Sequence, residues 1–212
     1  MKKISKMFAV SALTGCLALT GITPTFAAES QQSEREINAN ILKGDLTLDA
    51  PLNNPFQEVQ LESNPKTIYT KLDDVVQVSD LRGTQEGWRL DVSATQFEIV
   101  EPSGGFVEGT NTHKLPKGSL SFSAVEDISR VGTGSSKLPT AIQNNKKILD
   151  DGSITIAKAN QGEGMGVFNI SFSDQAYSLV VDATTAKIDM VNYPNGKTPY
   201  KSIVNWDLVS AP

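Results

Sequence analysis

Histidine is the scarcest of the side chains that carry acid–base chemistry here. His113 is the sole one in 212 residues, in the polar run Asn111-Thr112-His113-Lys114-Leu115-Pro116, which reads as an exposed loop. A histidine-dependent serine or cysteine hydrolase would need it as the base for a nucleophile, and no Gly-x-Ser-x-Gly elbow advertises one. Zinc is no better served, because one histidine and the single Cys16 cannot assemble the usual nitrogen and sulfur ligand sets. Glycoside hydrolysis asks only for two carboxylates about 5–10 Å apart, and the adjacent pairs are Asp73-Asp74 and Asp150-Asp151. Neighbours in an extended chain point to opposite faces, so such pairs are more naturally solvated turn charge. Gly162-Glu163-Gly164-Met165-Gly166 has the look of a phosphate loop. A phosphate loop must open a helix, however, whereas this run stands between two strand candidates and is expected to be a hairpin connection or bulge. The expectation is a protein that is not an enzyme, with no metal and no cofactor.

The elements that would position any site are strands. From Ile41 onward, short runs of β-branched and aromatic residues are punctuated by Gly, Pro, Asn and Asp every ten or so positions, with no sustained helical period. Candidate strands cover 43–48, 75–81, 88–100, 119–124, 153–159, 167–173, 177–182 and 202–209. Alternation is clearest at Trp88/Leu90/Val92, Phe168/Ile170/Phe172 and Val204/Trp206/Leu208, each set lying on one strand face with polar residues on the other. One-sided burial predicts an all-β fold, an antiparallel β-sandwich or barrel. The weakest stretch, 128–149, leaves room for one short helix at 139–149.

Charge and address narrow the partners. The formal charge is −5, with 19 basic residues against 24 acidic, and Lys2, Lys3 and Lys6 are the only charges before Ala28. Removing those three lysines leaves 16 basic residues and a net charge of −8. With no dense basic run, nucleic acid is excluded as a partner. Those lysines, the mostly apolar stretch 7–22 and the small residues at Thr25 and Ala27 make 1–27 a secretory signal peptide. Leu13-Thr14-Gly15-Cys16 resembles a lipobox, but the apolar run continues through it at Leu17-Ala18-Leu19, so cleavage after Ala27 is preferred and the mature chain would hold no cysteine. The polar stretch 28–40 is expected to be a flexible leader and 41–212 a single domain. Leu115-Pro116-Lys117-Gly118 and Leu138-Pro139-Thr140-Ala141 echo a sortase signal without its apolar C-terminal tail, so covalent wall attachment is not expected.

Both tryptophans of the chain occur as Trp-x-Leu. Leu81-Arg82-Gly83-Thr84-Gln85-Glu86-Gly87-Trp88-Arg89-Leu90, followed by Asp91-Val92, resembles the proximal motif of WxL-domain surface proteins of Gram-positive bacteria. The stretch Tyr200-Lys201-Ser202-Ile203-Val204-Asn205-Trp206-Asp207-Leu208-Val209-Ser210-Ala211-Pro212 resembles their distal motif, departing from it only in Asn205 where Thr is usual. The resemblance covers 41–212 and is to the small, single-domain type.

That resemblance implies export, and non-covalent retention at the cell surface through the peptidoglycan wall. It also implies assembly with other WxL proteins and a membrane-anchored partner, and for some members binding to a host matrix protein. It marks Trp88, Leu90, Tyr200, Trp206, Leu208 and Pro212 as wall- or partner-binding residues. The residues themselves favour a different role for the indoles, since a tryptophan on the apolar face of a one-sided strand is more often core, with the functional surface elsewhere. Three functions follow. The first is a non-catalytic wall-binding module. The second is an interaction subunit docking on another exported protein, by strand addition at a sheet edge. The third is a wall-active glycosidase using two distant carboxylates.

Overall fold

The computed structural model describes residues 39–105 and 113–210. The segment 1–27 with Cys16, most of the leader and Pro212 lie outside the described residues.

Strands are numbered in chain order. One antiparallel sheet has the spatial order β1 (Leu46–Asp49), β3 (Val76–Asp80), β11 (Gly166–Phe172), β7 (Val125–Val131). A second runs β14 (Val204–Ser210), β4 (Trp88–Ala94), β10 (Ile154–Ala159), β8 (Thr140–Ala141). The third runs β2 (Lys66–Thr70), β12 (Tyr177–Val181), β6 (Leu120–Phe122), β9 (Lys147–Ile148), and β13 (Tyr200–Lys201) pairs with β5 (Glu98–Ile99) as a short ribbon. Among the described residues all fourteen named strands pair antiparallel and no sheet closes into a barrel, and the architecture is a β-sandwich.

The period-2 pattern explains why these runs pair. Val76 and Val78 of β3 face the core, and in register beside them lie Ile170 and Phe168 of β11. From the second sheet come Trp88, Leu90 and Val92, with Ile156, Ala157 and Ala159 of β10, all enclosed. Each large apolar side chain so buried stabilises the fold by roughly 1.5–3 kcal/mol. At the borders β1 lies by β14 and β7 by β8. The third sheet adds Leu120, Phe122 and Tyr177 to the same core. It is tied to the second sheet through Leu149, whose N–H donates to Leu120 O (2.9 Å) and whose carbonyl accepts from Ala94 N–H (3.1 Å).

Several local expectations are corrected. Among the described residues there is no helix, and 139–149 forms β8 and β9 instead. Asn144-Asn145 is a poor helix former, while Ala141 finds a strand partner in Ala157 and Ile148 in Ser121. The buried Gln143 amide nitrogen donates to the carbonyls of Phe122 (3.1 Å) and Ser123 (2.6 Å), so tertiary pairing outweighs a weak local preference. The single strand read over 88–100 breaks into β4 and β5. Thr95 at the break takes Ile203 as partner through both backbone (3.0 Å) and side chain (2.9 Å). The glycine-rich run 162–166 is not a hairpin connection, since β10 and β11 belong to different sheets and the run carries the chain across the sandwich. Strands β2 and β7 were not expected, because each shows the solvent mostly polar residues and owes its pairing to a neighbour.

Candidate functional site

The fold brings the two Trp-x-Leu segments together as neighbouring strands. β14 lies antiparallel to β4 with Trp206 opposite Val92, Leu208 opposite Leu90 and Ser210 opposite Trp88. Residues 118 positions apart in sequence, Leu90 and Leu208, thus form a cross-strand pair on the core face. Such pairs are the unit of sheet stabilisation, each contributing roughly 0.2–1 kcal/mol.

Trp88 is completely enclosed. Its indole N–H donates to Gly164 O at 3.0 Å, which satisfies the one polar atom that burial would otherwise strand. The seat requires two glycines. Gly87 has φ +79°, and a Cβ there would come within 2.4 Å of Ala159 O; Gly164 has φ +69°, and a Cβ there would come within 2.2 Å of Ala159 Cβ and 2.8 Å of Trp88 Nε1. The Gly-Trp order of the proximal segment therefore has a steric cause: the backbone before the tryptophan must pass against the end of β10.

Arg82 fastens the same corner. Its guanidinium grips Asp80 through Nε to Oδ1 and Nη2 to Oδ2, both 2.9 Å, and Nη2 also donates to Gly87 O at 2.8 Å. Nη1 donates to Glu86 Oε2 at 3.0 Å and to the Ser210 hydroxyl of β14. Both members of the Arg82–Asp80 pair are buried. Hydrogen bonding to Asp80, reinforced by the charges of Asp80 and Glu86, holds the Arg82 guanidinium above its ordinary value against the opposing effect of burial. One arginine thus joins the proximal segment, the last residue of β3 and the last residue of β14.

Trp206 is only partly covered. It packs edge-on against Phe122 (centroids 5.7 Å) and near Phe172 (6.3 Å), and Phe122 in turn lies 4.8 Å from both Phe172 and Tyr177 with the rings tilted by 52° and 49°. Tyr200 lies apart from this cluster. Its hydroxyl accepts from Lys187 N–H and donates to Lys187 O, each at 2.9 Å, and its ring borders an open cleft of about 620 Å³. Sheet residues Ile68, Leu179 and Val181 form part of the lining, with Phe56 and Val59 from the extended segment before β2. The size and the apolar lining with a few polar groups are those of a ligand site.

A model of the WxL domain surface cell wall-binding family matches residues 22–212. The chain belongs to that family. No curated protein and no solved structure matches it. As a WxL protein it is a surface, cell-wall-associated module, and its family is a wall-binding family rather than an enzyme family.

His113, Asp74, Asp150 and Asp151 each have a structural partner in this WxL domain. His113 is half-buried rather than exposed, with Nε2 2.6 Å from Thr185 O and its ring 6.3 Å from that of Tyr200. Asp150 is buried and accepts from Gly118 N–H (2.8 Å) and Leu120 N–H (3.2 Å), clipping the turn before β6, whereas Asp151 is exposed and pairs with Lys117 at 2.9 Å. Asp73 and Asp74 are exposed, and Asp74 accepts from Val75 N–H at 2.7 Å. The cleft escaped the sequence reading because its segment, 51–61, forms no regular element. The signal present was Phe56, Val59 and Leu61 spaced through a proline-punctuated run whose other residues, Leu52 and the prolines apart, are polar.

Proposed function

We propose that this WxL protein is a non-catalytic module, exported by a signal peptide at 1–27 and carried on a leader at 28–40, whose 41–212 domain binds peptidoglycan on a Gram-positive surface through the cleft beside Tyr200. One observation carries the reading. Trp88 is enclosed and Trp206 largely engaged in an aromatic cluster, while Tyr200 of the same distal motif borders the large open cavity. The paired Trp-x-Leu strands then serve as the scaffold, and the cleft supplies apolar surface for sugar rings and peptide side chains, with Lys197 and Glu58, paired at 2.9 Å, at its rim.

Co-sedimentation of the purified protein with Gram-positive sacculi tests this. Val59→Gln and Ile188→Gln, at partly buried and exposed cleft positions, are expected to weaken pelleting several-fold, with melting unchanged in Ile188→Gln and lowered in Val59→Gln, whose side chain packs on Leu115, Leu179 and Val181. Trp206→Phe is expected to pellet normally once shown to be folded. Cleft variants that pellet like the native protein, beside a folded Trp206→Phe that does not, would move the binding surface to the Trp-x-Leu strands.

A second reading, a subunit that docks on another WxL protein, a membrane-anchored protein or a host matrix protein, is favoured by β7 and β14. Both are seven-residue strands in the outer position of their sheets, bordered by the two-residue β8 and the four-residue β1, and the length of outer strand beyond those neighbours is a template for strand addition. Under it, the protein ignores bare sacculi and co-purifies with its partner.

A further inference from the structure

We propose that the outer face of the paired Trp-x-Leu strands carries a seat for a singly charged oxyanion, the free carboxylate of a wall stem peptide, built by Lys158 and Arg89. The carboxylate's origin rests on the peptidoglycan reading above; the seat itself rests on four features of β4 and β10.

The first is a β-bulge. β10 pairs with β4 as Thr155 opposite Asp91, then Ala157 opposite Leu90, with the register shifting between them. Ile156 and Ala157 are both fully buried across this shift. In an unbroken strand Lys158, three residues after Thr155, would point into the core. The bulge reverses that parity and sets Lys158 directly across from Arg89 on the outer face, the kind of re-aiming for which bulges are retained.

The second is the pairing itself. Two like charges directly opposite on neighbouring strands destabilise a sheet, and no ion-pair partner of Lys158 is found among the described residues. Asp91 compensates Arg89 within the fold, so Lys158 is the charge whose placement there the fold does not account for.

Third, Arg89 is held in place by a built support. Its Nε donates to Asp91 Oδ2 at 2.8 Å, and Asp91, nearly buried, accepts from the Thr155 hydroxyl on Oδ1 at 2.8 Å. This leaves both terminal guanidinium nitrogens without a hydrogen-bond partner among the described residues, a planar fork suited to an oxyanion.

Fourth, the two cations line a recess of about 350 Å³ with Gln161, Val209 and Ser210. Glu86 also lines it, but its Oε2 already accepts from Arg82 and lies 3.4 Å from the Ser210 hydroxyl. Asp91 is paired with Arg89 and Glu86 shares Arg82 with Asp80, so Lys158 is the one cation of the recess without an ion pair among the described residues and matches a single negative charge.

The test uses the full chain. Sacculi stripped of phosphate-bearing polymers with hydrofluoric acid are compared with sacculi whose carboxylates are capped as amides. The native protein is expected to bind the first and lose binding to the second. Lys158→Gln is expected to weaken binding about tenfold and Lys158→Glu further, both melting at or above the native temperature because they relieve the like-charge pair with Arg89. Arg89→Lys, which keeps the charge and loses the fork, should weaken it as well. Variants that bind like the native protein overturn the seat, and a Lys158 dependence that vanishes after acid stripping overturns the carboxylate in favour of a phosphodiester. A second measurement needs no wall: titration with a short N-acetylated peptide bearing a free C-terminal carboxylate, against its amide, followed by the backbone amide signals of Arg89, Lys158 and Gln161. If the native protein fails to pellet with any sacculi, the peptidoglycan reading falls. Acid-selective shifts lost in Lys158→Glu then still sustain the seat, and their absence sinks it.

Discussion

The tightest steric statement in the structure concerns the seat of Trp88, and Gly164→Ala probes it. A methyl at Gly164 meets two penalties: its φ of +69° disfavours an L side chain, and the new Cβ lies 2.2 Å from Ala159 Cβ and 2.8 Å from Trp88 Nε1. Left-handed backbone costs an L residue about 1–2 kcal/mol. Forcing a methyl into filled space costs about 1–3 kcal/mol. Removing a glycine also restricts the unfolded chain, which offsets about 0.4–1 kcal/mol. The net loss is about 1–5 kcal/mol. Gly162→Ala is the matched control, since its φ is +80° and nothing lies within 4 Å of the added Cβ. The conformational and unfolded-state contributions cancel between the two variants, so their difference isolates the clash, about 1–3 kcal/mol. For a domain of this length that is an extra fall of roughly 2–12 °C in melting temperature. Thermal and urea unfolding, followed by circular dichroism and tryptophan fluorescence, measure it. Ala159→Gly removes the nearest atom and should recover part of the excess in the double variant. Equal losses in Gly164→Ala and Gly162→Ala would refute the claim that this corner is rigid and that Trp88 is a fixed structural element.

Other outcomes follow from the same corner and core. Arg82→Met leaves Asp80 buried without its cation and is expected to destabilise by about 3–5 kcal/mol, while Asp80→Leu with Arg82→Met restores most of that; a double-mutant cycle in urea measures the coupling. Burial holds the Tyr177 hydroxyl well above its ordinary value of 10.0, and burial raises Tyr200 too, with the Lys187 backbone bond pulling the other way. Folded values above unfolded ones mean that this contribution is whole below pH 10 and is lost as pH climbs beyond it, because the unfolded chain ionises first. Urea titrations at pH 8 and above pH 10 should show the loss, and Tyr177→Phe should flatten it.

The strands with clear alternation, 88–94, 166–172 and 204–210, were legible because each has one apolar face, and that pattern also carried the all-β class. The motif pair was legible because two rare tryptophans recur with one spacing and distinctive flanks. The failures lie where local sequence is ambivalent. Residues 139–149 had a plausible helical start at Pro139, yet their hydrogen bonds go to β10 and β6, neighbours that exist only once the chain has folded. The glycines at 162–166 suit a hairpin connection or bulge, and nothing local could say that they cross between sheets to let the Trp88 indole reach Gly164 O.

The sequence by itself determined which residues can be strands, which face of each is apolar and which family the chain joins, since propensity, alternation and motif are properties of neighbours along the chain. Tertiary structure alone decided that the two Trp-x-Leu segments are adjacent strands, that Arg82 locks their ends, and that a cleft opens beside Tyr200. It alone also set Lys158 opposite Arg89, because a one-residue bulge reverses the face of every side chain after it, and the apolar neighbours Ile156-Ala157 that mark the shift do not by themselves say which strand lies across from it.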